Sequence, residues 1–338
     1  MPRKRNPGGP LVRGLWLFVL AGLGWLPSAV RAQRAQGGPD AESTTEEWYL
    51  PVGDGCRLYV YETGRGTDTL VVLHGGWGAE HSYLLDAFAG LERQYRLVFY
   101  DQRGSLRSPC PDSAISVTKH VADLDRLRTA LGLQRMTLVG HSMGTYLAMR
   151  YLQDQTASVA GLVLIAAWLP SSARKAADSA ALDQLWTAQR AFNSRPEIAA
   201  QLEKEGLAKD SAQLSAKERT RAWRVRFAGA NLYHVDRWRQ MKGGQAFFNR
   251  QAAAAAARSA PPTHDFRPSL ADHRCPVTFI SGDHDLGDLA SLLRHLLAGV
   301  PNVRLNVIEK AGHNVWVDAP AEFRRALLAA LVRARNCR

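Results

Sequence analysis

Short apolar runs and stretches of helical period alternate through most of the chain, and the two periods predict different elements. Residues 48–52 and 56–61 are β-prone runs flanking Gly53-Asp54-Gly55, whose turn chemistry predicts a β-hairpin. Further strands are predicted at 69–73, 96–100, 136–139, 159–167, 277–281 and 303–308. Between them, 117–131 places Val121, Leu124, Leu127 and Leu131 on one helical face, 145–153 looks helical, and 319–335 is amphipathic. Strands alternating with helices predict an α/β fold with a mostly parallel sheet covered on both faces. Residues 171–270 break the pattern: they are rich in Ala, Gln and Arg, helical, and without a convincing strand. The six alanines at 252–257 act there as helix formers. This block predicts a helical insertion that divides a sheet-bearing core into 47–170 and 271–338, after a polar linker at 33–46.

The N-terminus has a different chemistry. Arg3, Lys4, Arg5 and Arg13 precede a twelve-residue apolar run at 15–26 that Pro27 ends, and Val30-Arg31-Ala32 offers small residues at a cleavage site. That run is too short to span a bilayer, which needs about 20 apolar residues, so 1–32 is expected to be a signal peptide and the mature chain an exported protein without stable membrane insertion.

Composition adds limits. Of 338 residues, 46% are hydrophobic and 22% charged, which excludes a disordered or collagen-like chain. The formal charge is +12, but five of the basic residues belong to the expected leader. The 171–270 block alone holds 17 Lys and Arg against 9 Asp and Glu. No nucleic-acid recognition motif accompanies this charge, so nucleic acid is not an expected partner. A solvated basic face, or a preference for anionic surfaces or substrates, fits it better.

The candidate chemistry begins at Gly140-His141-Ser142-Met143-Gly144, a G-x-S-x-G segment between a predicted strand and a predicted helix. Such an elbow projects the serine hydroxyl above a sheet, and its glycines let strand and helix approach closely. A serine hydroxyl needs a base, and the base an orienting acid, in the chain order Ser, Asp or Glu, His at the ends of strands. Asp283, Asp285 and Asp288 follow the strand at 277–281, and His313 follows the one at 303–308. His313 is the expected base and Asp285 the favoured acid, with Asp283 the alternative and Asp288 third. His284, His234, His264 and His295 are weaker candidates for the base. His74-Gly75-Gly76-Trp77-Gly78 stands where an oxyanion hole belongs. The N–H of Gly76, or alternatively of Trp77, would pair there with the N–H of Met143. His74 is expected to hold this loop by hydrogen bonds. No cysteine and histidine spacing suggests a zinc site, and no metal or other cofactor is expected.

Three segments together, His74-Gly-Gly-Trp-Gly78, Asp101-Gln-Arg-Gly-Ser-Leu-Arg-Ser108 and Gly140-His-Ser-Met-Gly144, resemble the α/β-hydrolase superfamily and within it the proline iminopeptidase group. The resemblance implies an α/β-hydrolase fold, Ser142 as nucleophile, Asp285 as acid, His313 as base, a helical cap over the site and no cofactor. Trp77 and Leu106 depart from the group's usual proline and glycine. Members of the group use cap glutamates to grip the substrate's free amine; Glu197, Glu203, Glu205 and Glu218 are available here, in a cap of net positive charge. The strand order that the superfamily implies also pairs Cys56 with Cys110 and Cys275 with Cys337.

The expectation is therefore an exported serine hydrolase acting through an acyl-enzyme on a small molecule or short peptide. It leans to the N-terminal residue of short peptides, with small or amphipathic esters as the alternative. Trp77, Trp168, Trp186, Phe192, Trp223, Phe227 and Tyr233 are candidates for lining an acyl pocket. A non-catalytic binding protein on the same scaffold is the rival from another class.

Overall fold

In a computed structural model, residues 44–172, 176–242 and 248–337 are described. The expected leader at 1–32 and most of the linker at 33–46 lie outside them. Eight strands form one sheet: β1 (Thr45–Gly53), β2 (Cys56–Thr63), β3 (Asp68–Leu73), β4 (Tyr95–Tyr100), β5 (Met136–His141), β6 (Val159–Ile165), β7 (Val277–Gly282) and β8 (Val303–Ile308). Their order is β1-β2-β4-β3-β5-β6-β7-β8. β2 runs antiparallel to both β1 and β4, and every later pairing is parallel. The β1–β2 hairpin turns through Gly53, Asp54 and Gly55, all with positive φ.

The unbroken apolar strands have a physical reason. Successive side chains of a strand point to opposite faces, and here both faces are covered. Val71 and Leu73 of β3 join Leu138 of β5 and Leu162 of β6 in a core with Leu124, Leu127 and Leu147 from the helices Val117–Ala130 and Met143–Asp154. Leu70 and Val72 turn the other way and meet Val139, Val163, Phe323, Leu327 and Leu331, the last three from the helix Pro320–Arg335. The strand predicted at 159–167 ends two residues early, because Ala166 takes φ 46 and turns the chain out of the sheet.

Between β6 and β7 the chain forms the helices Ala176–Asn193, Pro196–Lys204, Ala216–Asn231, Arg250–Ser259 and Arg267–Asp272. The alanine run lies in the fourth, which Asn249 caps by accepting hydrogen bonds from Gln251 N and Ala252 N. Ser215 and Glu218 form a capping box at the start of the third. Cys56 is bonded to Cys110, and Cys275 to Cys337, with Cα separations of 5.3 and 5.4 Å. The second of these ties the entry of β7 to the end of the closing helix.

Candidate active site

Ser142 sits between β5 and the helix Met143–Asp154 with φ 52 and ψ −122, a conformation that a non-glycine residue holds only when its surroundings impose it. The surroundings do so from both sides. Ser142 N donates to Ile165 O at 3.0 Å, and Ser142 O accepts from Thr145 N and Thr145 Oγ1. The flanking glycines are required by proximity. A Cβ on Gly144 would stand 2.3 Å from Leu73 O, and one on Gly140 would stand 2.8 Å from the Gly144 carbonyl.

His313 follows β8, and its Nδ1 lies 2.7 Å from Oδ1 of Asp285, which is fully buried. The other two acids are committed elsewhere. Asp283 accepts hydrogen bonds from His284 Nδ1 at 2.7 Å and Ala311 N at 3.1 Å, joining the loops after β7 and β8. Asp288 caps the helix Leu289–Leu296 by accepting from Ser291 N. Of the other histidines, His295 pairs with Asp178 and His264 meets Leu169 O. His313 and Ser142 border one cavity of about 460 Å³.

The loop after β3 closes another side of this cavity. Gly76, with φ 70, lines it. Met143 opens its helix, where the N–H groups have no acceptor within the helix. His74 is fully buried; its Nε2 accepts from Gln102 N at 3.0 Å and its Nδ1 lies 3.1 Å from Gly75 O. Burial, the largest influence on it, holds this imidazole below its ordinary pKa and therefore neutral. Trp77 turns away from the cavity: its side chain is buried, stacked on His120 with ring centroids 4.5 Å apart.

Two residues that sequence reasoning did not single out tie the loop after β3 to the loop that bears His313. The Tyr83 hydroxyl accepts from Gly75 N at 2.7 Å and lies 2.6 Å from His141 Nδ1. Burial raises the Tyr83 pKa, so the hydroxyl keeps its proton. Burial, reinforced by nearby His313, holds His141 well below the ordinary imidazole range. One hydroxyl proton and a neutral ring leave one arrangement. Tyr83 donates to Nδ1, and the proton on Nε2 of His141 points to His313 O, 3.3 Å away. His141 is the unspecified residue of G-x-S-x-G, and Tyr83 lies in a segment without any motif.

The insertion meets the site through the end of the helix Ala216–Asn231. Asn314 N donates to Asn231 O, and buried Asp318 accepts from Gly312, Tyr233 and His234 N–H groups at 2.8 to 2.9 Å. These bonds fix the His313 loop against the insertion. Of the seven aromatics proposed from sequence, Trp223 and Phe227 line the cavity, joined by Tyr83, Met241 and Phe248. Trp77 and Phe192 are core, and Trp168, Trp186 and Tyr233 do not border it.

None of the four insertion glutamates reaches the cavity. Glu205 is held by Arg239 and Arg221 at 2.5 and 2.7 Å, and the hydrogen bonds from Arg239 lead in holding its carboxyl down at about 2. Glu218 is spent on the capping box, while Glu197 and Glu203 face solvent. Arg250 is the permanently charged residue among those described on the cavity wall. The expected amine grip is thus missing from these glutamates, because each serves the insertion's own structure or points outward. A buried trio, Glu80, His81 and Asp101, brings three potential metal ligands together. Asp101 is already bonded to His81 at 2.6 Å, and Arg107 reaches both carboxylates, so the charge a cation would neutralise is met internally.

The model of the alpha/beta hydrolase fold family matches residues 68–320. RutD of Escherichia coli, named as a carbamate hydrolase, is 28% identical over 272 residues, which cover 78% of this chain and 91% of RutD. Among solved structures, a proline iminopeptidase-related protein of Thermus thermophilus superposes with a TM-score of 0.64 at 24% identity, covering 87% of this chain and 100% of that one. An esterase of Exiguobacterium antarcticum superposes with a TM-score of 0.56 at 20% identity, covering 83% and 97%. At these identities the two structures share the fold.

Proposed function

The chain belongs to the α/β-hydrolase family, a hydrolase of the peptidase or esterase type, and from that premise we propose that it is a serine hydrolase of carboxylic esters with an apolar acyl or alcohol part. In this reading His313 takes the proton of Ser142 as its oxygen attacks the ester carbonyl, and Asp285 fixes the imidazole so that Nε2 faces the serine. The N–H groups of Gly76 and Met143 stabilise the oxyanion. The tetrahedral adduct collapses to an acyl-enzyme, the alcohol leaves with the proton from His313, and water repeats the sequence to release the acid. Residues 171–270 act as the cap over a core of 47–170 and 271–338, and the mature chain works outside the cytosol. The two disulfides support export, since they persist in oxidising compartments.

The observation that carries the ester reading is the wall of the cavity. Tyr83, Trp223, Phe227, Met241 and Phe248 supply apolar surface, Arg250 supplies positive charge, and no carboxylate borders it among the described residues. An ammonium group entering there would be desolvated without a counter-charge. The aminopeptidase reading is favoured by the likeness at 74–78, 101–108 and 140–144, but those segments build the elbow and the loops beneath it.

The test sets the protein, with Ser142→Ala as blank, against three substrates: a short-chain p-nitrophenyl ester, an aryl carbamate and an N-terminally free prolyl arylamide. Serine-dependent turnover of the ester without turnover of the arylamide is expected. The carbamate, whose bond type is that for which RutD is named, presents the same carbonyl to the same triad. Serine-dependent arylamide turnover that is lost when the proline nitrogen is acylated would overturn the ester assignment in favour of the peptidase.

A further inference from the structure

The cavity does not end at a polar rim. Trp223 and Phe227 stand at i and i+4 on the helix Ala216–Asn231, their rings stacked at 5.1 Å, and they remain 43% and 36% exposed while lining the cavity. Phe248, which lines the same cavity, is 50% exposed. Large aromatics at the surface that continue into a cavity are costly in water and mark a contact surface.

The same helix face is cationic. Arg219 lies one turn before Trp223 and Arg226 three residues after it, both exposed. Among the described residues, Arg221 is the basic residue of this helix that is ion-paired, to Glu205; Arg219 and Arg226 have no acidic partner there. The helix sits in the block that carries 17 basic against 9 acidic residues. A second copy of the chain would bring two such faces together and be repelled. An anionic amphiphile layer meets both halves of the pattern, aromatic rings entering at headgroup level and guanidinium groups pairing with the charge.

We propose that the outer face of the helix Ala216–Asn231, with Phe248, docks on an anionic lipid bilayer, so that the cavity mouth opens against the membrane surface and takes amphiphilic esters from it. The choice of substrate rests on the ester-hydrolase reading; the docking does not.

Docking is therefore measured without turnover, by floating the Ser142→Ala chain with phosphatidylcholine vesicles and with vesicles of equal parts phosphatidylcholine and phosphatidylglycerol. Binding to the anionic vesicles alone is expected, weakening with added salt. Arg219→Gln with Arg226→Gln should lower the partition coefficient by roughly 25-fold, about fivefold for each arginine near an anionic surface. Trp223→Ser should weaken it independently of salt. The arginine pair does not border the cavity, so this variant with Ser142 intact keeps its turnover of a short soluble ester, which serves as its folding control. Failure to float, equal binding to both vesicle types, or indifference to the arginine pair would overturn the proposal. So would concentration-dependent self-association abolished by Trp223→Ser, which would assign the face to a second copy. If the soluble ester is not turned over but the vesicles bind, the hydrolase reading fails and the docking stands.

Discussion

The pairing of His313 with Asp285 rather than Asp283 can be tested by a matched pair of substitutions, Asp285→Asn and Asp283→Asn. Both keep side-chain volume and remove one negative charge. Asp285 is fully buried, with Oδ1 2.7 Å from His313 Nδ1. When the imidazole takes the serine proton, a carboxylate about 4 Å from the new charge, at an effective dielectric of about 20, contributes about 4 kcal/mol. Removing it should lower kcat about a thousandfold. Asp283 lies in the adjoining loop but spends Oδ1 on His284 and the Ala311 N–H, not on His313. Its replacement costs hydrogen bonds of about 1 kcal/mol each and should keep kcat within roughly tenfold.

The assay is initial-rate hydrolysis of a p-nitrophenyl ester, followed as released nitrophenolate at saturating substrate. Each variant is also melted, because Oδ2 of Asp285 is buried and has no hydrogen-bond partner among the described residues, so an amide NH2 in its place would be buried without an acceptor. Rates are compared only at temperatures where both variants are folded. A thousandfold loss in Asp283→Asn, with Asp285→Asn retaining more than a tenth of the wild-type rate, would refute the assignment. It would mean that the loop after β7 rearranges when substrate binds.

Two further predictions concern the scaffold. Arg103 is buried and holds both oxygens of Asp123 at 2.6 Å, so Asp123→Ala should destabilise the protein by about 3–5 kcal/mol in urea unfolding, and a loss below about 1 kcal/mol would contradict the pairing. Buried His120, stacked on Trp77, has its pKa lowered to about 3 by burial, with Arg103 adding to it. The unfolded chain binds this proton near pH 6.5 and the folded chain does not, so stability present above that pH is lost as pH falls towards about 3, by about 2 kcal/mol at pH 5. In His120→Phe the drop in unfolding free energy between pH 7.5 and pH 5 should shrink by about that amount; an unchanged drop would show that His120 titrates alike in both states.

The strands were legible because a sheet covered on both faces needs apolar runs, and the runs at 69–73, 136–139 and 277–281 each lie within a strand of the structure. The elbow was legible because Gly140 and Gly144 answer a local demand, the close approach of a helix to β5 and β3. Trp77 was not, since whether an aromatic beside a loop faces the cavity or the core depends on partners such as His120 and Tyr146, far away in sequence. The same holds for the aromatics of the insertion. Trp223 and Phe227 reach the cavity because Asp318 and Asn314 bind the end of their helix, and no spacing in the sequence announces those bonds. The glutamates misled for a related reason: a carboxylate on a helix shows its charge in the sequence but not whether arginines hold it, as at Glu205, a cap uses it, as at Glu218, or it faces solvent, as at Glu197 and Glu203.

The residues that carry the family resemblance are not the ones that form the outer wall of the cavity. Asp101-Gln102-Arg103-Gly104 is the most specific of the three segments that carry the resemblance, and its first three side chains turn wholly inward. Asp101 binds His81, Gln102 Nε2 donates to His74 O, and Arg103 binds Asp123. Together they brace the loop after β3, which bears Gly76, against the loop after β4. A Cβ on Gly104 would strike Ala252 of the insertion at 2.6 Å, so even the glycine serves packing. Such a segment is held by the packing of the loop after β3, the proposed oxyanion loop, whatever is bound above it, and proteins that share it need not share a substrate. The cavity wall is formed instead by residues such as Trp223, Phe227, Phe248 and Arg250, which lie on helices and loops without any motif and which, on the proposed ester reading, would meet the substrate. Exchanging these four should alter which ester is preferred while leaving the Asp285–His313 pair and the elbow in place, whereas changes in the Asp-Gln-Arg-Gly segment should lower turnover of all substrates alike.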